Sequence, residues 1–99
     1  MTRESDIENY LVKMAKSYGG EVRKVKWIGR EGAPDRLVML PLCEQPVWVE
    51  VKTPGGKAAF PKNAHERKQA REHARLRAMG QRVEIVDSYD GVDELLERR

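Results

Sequence analysis

Val47-Trp48-Val49-Glu50-Val51-Lys52 is the stretch on which the reading of this chain turns. Three valines alternate with a tryptophan, a carboxylate and an ammonium, and β-branched residues at period two are the pattern of a strand. Successive side chains in a strand point to opposite faces, so Val47, Val49 and Val51 share one face while Trp48, Glu50 and Lys52 share the other. Glu50 and Lys52 then stand about 6 to 7 Å apart along the strand. Two charges projecting from the most apolar strand of the chain are expensive to desolvate unless they pair or bind something.

Upstream, Leu37-Val38-Met39-Leu40 is a continuous apolar run suited to a central strand, and the segment from Pro41 to Pro46 makes the turn that joins it to Val47. If the two strands form a hairpin, Asp35 lies near the end of one and Glu50 near the end of the other. Pro34 fixes its own φ and biases Ala33 toward extended backbone, which defines the entry into the strand. Both carboxylates then converge on one cation. Mg²⁺ takes one or two carboxylates together with waters and substrate phosphate, so Asp35, Glu50 and the Val51 carbonyl supply a sufficient protein share. Lys52 stands where it orients a water and stabilises charge developing on phosphorus.

Working further outward, Ile7, Tyr10, Leu11, Met14, Ala15 and Tyr18 recur at helical spacing over Glu4 to Tyr18, with Thr2 or Ser5 as the cap and Gly19-Gly20 as the stop. Glu21 to Ile28 reads as an exposed strand, and residues 29 to 34 as a turn-rich loop. Thr53 to Pro61 reads as a flexible loop. Asn63 caps a helix from Ala64 to about Met79, Arg82 to Val86 is a further strand, and Asp90 to Leu96 a short final helix. The order is helix, three strands, helix, strand, helix, and no linker or repeat divides it. The expectation is a single α/β domain spanning residues 1–99, a mixed four-stranded sheet flanked by helices.

Bulk properties narrow the setting. No apolar run approaches the roughly 20 residues of a membrane span, and the N-terminus lacks the apolar centre of a secretory signal. The one cysteine, Cys43, forms no internal disulfide and reads as a bystander in a turn, so a reducing cytoplasm is the expected location. The net charge is +3, but between Lys57 and Arg82 eight basic residues face two acids, a local balance of +6. Lys57, Lys62, Arg67, Lys68, Arg71 and Arg75, with Lys26 on the first strand, are the candidate phosphate contacts of a DNA-binding face. Trp27, beside Lys26, is the aromatic best placed to stack on a base, whereas Trp48 is expected to pack on the sheet. His65 and His73 lack further ligands at a metal-binding interval and read as solvent-facing or phosphate-contacting residues.

Taken together, Pro34-Asp35, fourteen intervening residues and Glu50-Val51-Lys52 resemble the Pro-Asp…Asp/Glu-x-Lys nuclease superfamily, and in finer detail its VRR-NUC branch. Gly32-Ala33-Pro34-Asp35-Arg36 is similar to that family's Gly-x-Pro-Asp segment, and Trp48 to Pro54 to its Glu-x-Lys strand. Gln69 falls where the family places a glutamine on the following helix, and Arg82 to Val86 resembles its closing strand, without the Arg-Arg pair of the family's name. The resemblance spans nearly the whole chain. It implies a restriction-endonuclease-like core and Mg²⁺- or Mn²⁺-dependent cleavage of DNA, with stand-alone members acting as homodimers on branched DNA such as four-way junctions. It also implies a glutamate on the first helix as a further site residue, Glu8 by best match and Glu4 as the alternative. A non-catalytic DNA-binding module of the same fold is the competing reading, and the joint presence of Asp35, Glu50 and Lys52 favours the enzyme.

Overall fold

In the computed structural model, which describes residues 1–98, helix α1 (Glu4–Ser17) buries Ile7, Leu11 and Ala15 along a single stripe. Its start is set by Asp6, whose carboxylate accepts the backbone N–H of Arg3 at 2.8 Å. Arg3 is therefore the capping position, in place of the expected Thr2 or Ser5. The four strands are β1 (Glu21–Lys24), β2 (Arg36–Met39), β3 (Val47–Val51) and β4 (Arg82–Val86), lying side by side in that order. β1 with β2 and β2 with β3 are antiparallel, whereas β3 and β4 are parallel, so the sheet is mixed as expected.

β1 is shorter than the Glu21–Ile28 strand expected from alternation, for a physical reason. The ladder reaches Lys24 opposite Arg36, and the Val25 N–H still bonds to the Asp35 carbonyl at 2.8 Å. Beyond that bond the partner gives way to Pro34 and the turn-rich residues before it, which lie outside the sheet, so β1 has no neighbour to pair with. The chain leaves the sheet there and Ile28 projects into solvent.

A parallel β3–β4 pair requires a crossover, and it is made by the one-turn helix α2 (Gly56–Ala59) and the long helix α3 (Ala64–Ala78). The Thr53–Pro61 segment is accordingly more ordered than the flexible loop expected: Asp87 accepts the N–H groups of Gly55 and Lys57, each at 3.1 Å. Asn63 caps α3 by accepting the Glu66 N–H at 2.9 Å. The chain closes with α4 (Tyr89–Glu97), capped by Ser88.

The core lies on one face of the sheet. Val38, Val47, Val49, Val51 and Val86 pack there against Ile7, Leu11 and Ala15 of α1 and Val92, Leu95 and Leu96 of α4. Tyr10 fastens the two helices, donating to Asp93 at 2.7 Å with its ring 4.7 Å from that of Tyr89. The opposite face is covered by α3, whose buried residues are Glu66, Gln69, Glu72, His73 and Leu76. Four of those five are polar. Among the described residues no helix is long and apolar enough to cross a membrane.

Candidate active site

The register of the central hairpin pairs Arg36 with Val49. One further step along the same register sets Asp35 across from Glu50, at the end of the sheet where β2 begins and β3 finishes. Asp35 is about half exposed, while Glu50 and Lys52 are held at 13% and 12% exposure. Val51, between them, turns its side chain into the apolar core and brings its carbonyl to the end of β3.

Glu50 and Lys52 do not neutralise one another; each is met by α3. The Lys52 ammonium donates to Gln69 Oε1 at 2.6 Å and lies 3.1 Å from Glu66 Oε2, with its Nζ 5.1 Å from the centre of the Phe60 ring. Glu50 Oε1 lies 3.2 Å from His73 Nε2. His73 is wholly buried and stacks on Phe60, ring centres 5.5 Å apart. The solvent-facing reading of His73 is thus corrected. It occupies the position four residues beyond Gln69 and seven beyond Glu66, and so belongs to the stripe that α3 turns toward the sheet. His65 lies off that stripe and is exposed.

Glu66, which sequence reasoning passed over, is central to this arrangement. Its carboxylate accepts the Lys62 N–H at 3.0 Å while its own N–H is received by the Asn63 side chain, so the acid and the cap together fix the first turn of α3. The Lys62 N–H first, and then the Lys52 ammonium, hold the Glu66 carboxyl below the usual carboxylate range. The Asn-x-x-Glu spacing was the signal for it in the sequence. Phe60, the single phenylalanine of the chain, had no comparable signal.

A second set of contacts places the loop that leads into Asp35. Glu72 accepts two bonds from Arg30, at 2.8 and 2.6 Å, and Glu31 accepts one from Lys68 at 2.7 Å. The Arg30 guanidinium pulls the Glu72 carboxyl down, and Lys68 does the same for Glu31. Gly32, at φ 83°, rests against the α3 backbone, where a Cβ would sit 3.1 Å from main-chain atoms of Lys68 and Gln69. Only glycine meets both the left-handed backbone and that approach. Trp27 donates to the Pro34 carbonyl at 2.7 Å and its ring lies 5.0 Å from that of Trp48. Trp27 thereby ties the first strand's exit to the residue before Asp35, with its ring half-buried.

On the other side of Asp35, Arg36 reaches both Glu8 at 3.2 Å and Asp35 at 3.5 Å. Glu4, one turn from Glu8, has its carboxyl raised, chiefly by burial and then by Glu8, with Glu50 and Asp35 adding to the effect and Lys52 opposing it. The end of α1 therefore adds two carboxylates to the field of Asp35 and Glu50. Among the described residues no three of His, Cys, Asp and Glu are grouped so as to hold an ion by themselves.

No family model matches the chain. It is, however, 42% identical over 90 residues, 91% of this chain and 88% of the relative, to "Putative nuclease p44" of Acyrthosiphon pisum secondary endosymbiont phage 1. A solved VRR_NUC domain superposes with a TM-score of 0.77 at 37% identity, covering 98% of this chain and 97% of its own. The chain belongs to the VRR-NUC family of nucleases.

In this VRR-NUC fold the basic residues singled out by charge lie around the site rather than in it. Lys57 is on α2, Lys62 precedes α3, and Arg67, Lys68, Arg71 and Arg75 line the outer side of α3, all of them exposed. Lys68 is bound to Glu31, and Arg75 lies 3.7 Å from Glu72. Among the described residues Lys26, Lys57, Lys62, Arg67 and Arg71 form no ion pair. Lys26 lines a groove of about 500 Å³ together with Lys24, Trp27 and Arg30 that runs to Asp35.

Proposed function

We propose that this VRR-NUC chain is a divalent-metal-dependent endodeoxyribonuclease, using Mg²⁺ or Mn²⁺, that acts as a homodimer on branched DNA in a reducing cytoplasm. The observation that carries the reading is the convergence of Asp35, Glu50 and Lys52 at one end of the sheet, each held by its own partners. Glu4, raised first by burial and then by Glu8, stands near Asp35 and Glu50, and acids gathered in this way are a donor set suited to a cation. Mg²⁺ keeps several waters and needs few protein ligands, so two carboxylates and the Val51 carbonyl fit it without a closed cage.

Asp35, Glu50 and Val51 are the groups that would hold the ion, with an α1 acid completing the set. Glu8, which Arg36 meets at 3.2 Å, is the first choice for that acid and Glu4, one turn earlier on α1, the alternative. The chemistry such an ion would supply there is charge neutralisation at the scissile phosphate and a more acidic attacking water. Lys52, fixed by Gln69 and Glu66, presents its ammonium to the same phosphate and stabilises the charge that develops on it. Lys26, Lys57, Lys62, Arg67 and Arg71, with Lys68 and Arg75, position the flanking backbone. A 99-residue domain buries only part of the surface its unfolded chain exposes and gains from burial against a second copy, and a twofold pair of sites suits the near-symmetry of a four-way junction.

The test is cleavage of supercoiled plasmid, linear duplex and a synthetic four-way junction with Mg²⁺, Mn²⁺ or chelator. Asp35→Ala, Glu50→Ala and Lys52→Ala are each expected to lower cleavage by a factor of about 10² to 10³, comparable to removal of a principal charge-stabilising group. DNA binding in chelator should persist in all three. Metal-independent binding with no cutting of any substrate by the wild type would leave the non-catalytic module as the correct reading.

A further inference from the structure

Three polar residues of the buried α3 stripe have their work accounted for: Glu66 and Gln69 hold Lys52, and Glu72 holds the loop before Asp35. His73 is the fourth. It is the most deeply buried polar side chain of the stripe, in a place where Leu76, one turn on, shows that an aliphatic residue is accepted. An imidazole there costs free energy, because Nδ1 is buried and has no hydrogen-bond partner among the described residues. Its single polar contact is Nε2 to Glu50 Oε1 at 3.2 Å. An ionised carboxylate only accepts, so the proton of that bond belongs to Nε2, and a bare Nδ1 lone pair is the state that leaves no N–H stranded.

We infer that His73 is a positioning residue for the metal site, fixing the Glu50 carboxylate by donating from Nε2 to Oε1 so that Oε2 is presented to the ion. The inference rests on the proposed role of Glu50 as a ligand. The arrangement inverts the usual outer-shell pairing, in which a carboxylate orients a ligating histidine; here a buried histidine orients a ligating carboxylate. Phe60 supports it from behind, stacking on the imidazole while also lying under the Lys52 ammonium, so one aromatic ring backs both groups that α3 holds in place.

The experiment measures Mn²⁺ binding to the full chain without DNA, by electron paramagnetic resonance, for wild type, His73→Phe, His73→Gln and Glu50→Ala. The phenyl ring keeps the stack but cannot donate; the glutamine amide restores an N–H. His73→Phe is expected to weaken Mn²⁺ binding about 10- to 100-fold, the cost typical of losing an outer-shell partner, and to raise the Mg²⁺ concentration needed for half-maximal cleavage in parallel. His73→Gln should recover most of both. His73→Phe binding Mn²⁺ within twofold of wild type, while Glu50→Ala has lost it, overturns the role of His73 and leaves that of Glu50 intact. Unchanged binding in Glu50→Ala overturns the ligand role and this inference with it. Nitrogen-15 shifts of His73 in the wild type give a check that needs no variant: Nε2 should carry the proton and Nδ1 none, and the reverse assignment refutes the proposal.

Discussion

The two faces of the sheet are built on opposite principles. Toward α1 and α4 the contacts are valine, leucine, isoleucine and alanine, non-directional and additive in buried area. Toward α3 the helix offers glutamate, glutamine, glutamate and histidine, each met by a named partner at hydrogen-bond distance. The first face holds the molecule together and tolerates any filling of the right volume. The second spends stability on orientation, since buried polar groups are costly unless every one is matched. An α3 that covered its face with leucine would bind the sheet more firmly and leave Glu50 and Lys52 unplaced.

That contrast is broken most directly by one substitution on each side. Leu11→Ala should destabilise the fold by about 2–5 kcal/mol, a large fraction of what a domain of this size possesses, read from chemical denaturation. Gln69→Ala should cost far less stability yet reduce cleavage sharply, because Lys52 loses its shortest bond. Equal losses of stability in the two variants would show that the faces are not divided as described. A smaller effect tests the loop clamp. Glu72→Gln weakens the pairing with a half-exposed Arg30 and should lower stability by about 1 kcal/mol or less. Amide exchange over residues 29–35 should rise selectively, since that loop is what Glu72 holds.

Acid sharpens the comparison further. The Glu66 and Glu72 carboxyls are lowered in the folded chain, so their contribution is complete above the ordinary carboxylate pKa and disappears as pH falls through their folded values. Glu4, which is raised, has the opposite sign: its contribution is complete below the ordinary value and is lost as pH rises through its folded one. Thermal unfolding followed from neutral to strongly acidic pH should show an acid limb that is shallower in Glu66→Gln. The smallest change is at the outer side of α3, where Arg71→Ala should leave fold and metal response untouched and reduce the slope of log affinity for DNA against log salt by about one.

The valine face was legible in advance because its code is local: period two in Val47–Val51 and period 3.6 in α1 each announce themselves within a few residues. Asp35 opposite Glu50 was legible too, since one hairpin register carries both. The α3 face was not, although its residues were in view. Periodicity detects a buried stripe through its hydrophobicity, and a stripe of Glu66, Gln69, Glu72 and His73 has none, so His73 read as a solvent residue and Glu66 went unremarked. The shortened β1 was misjudged for a related reason, as its length depends on where its partner strand leaves the sheet before Asp35.

Chain order, strand pattern and charge by themselves determined a mixed sheet flanked by helices, the hairpin that brings two carboxylates together, and a basic helix beside them. Tertiary structure alone decided which face of that helix is buried and which partner each polar group receives. Those choices depend on residues 17 to 42 positions apart in the chain meeting at hydrogen-bond distance, and such meetings have no signature in local spacing.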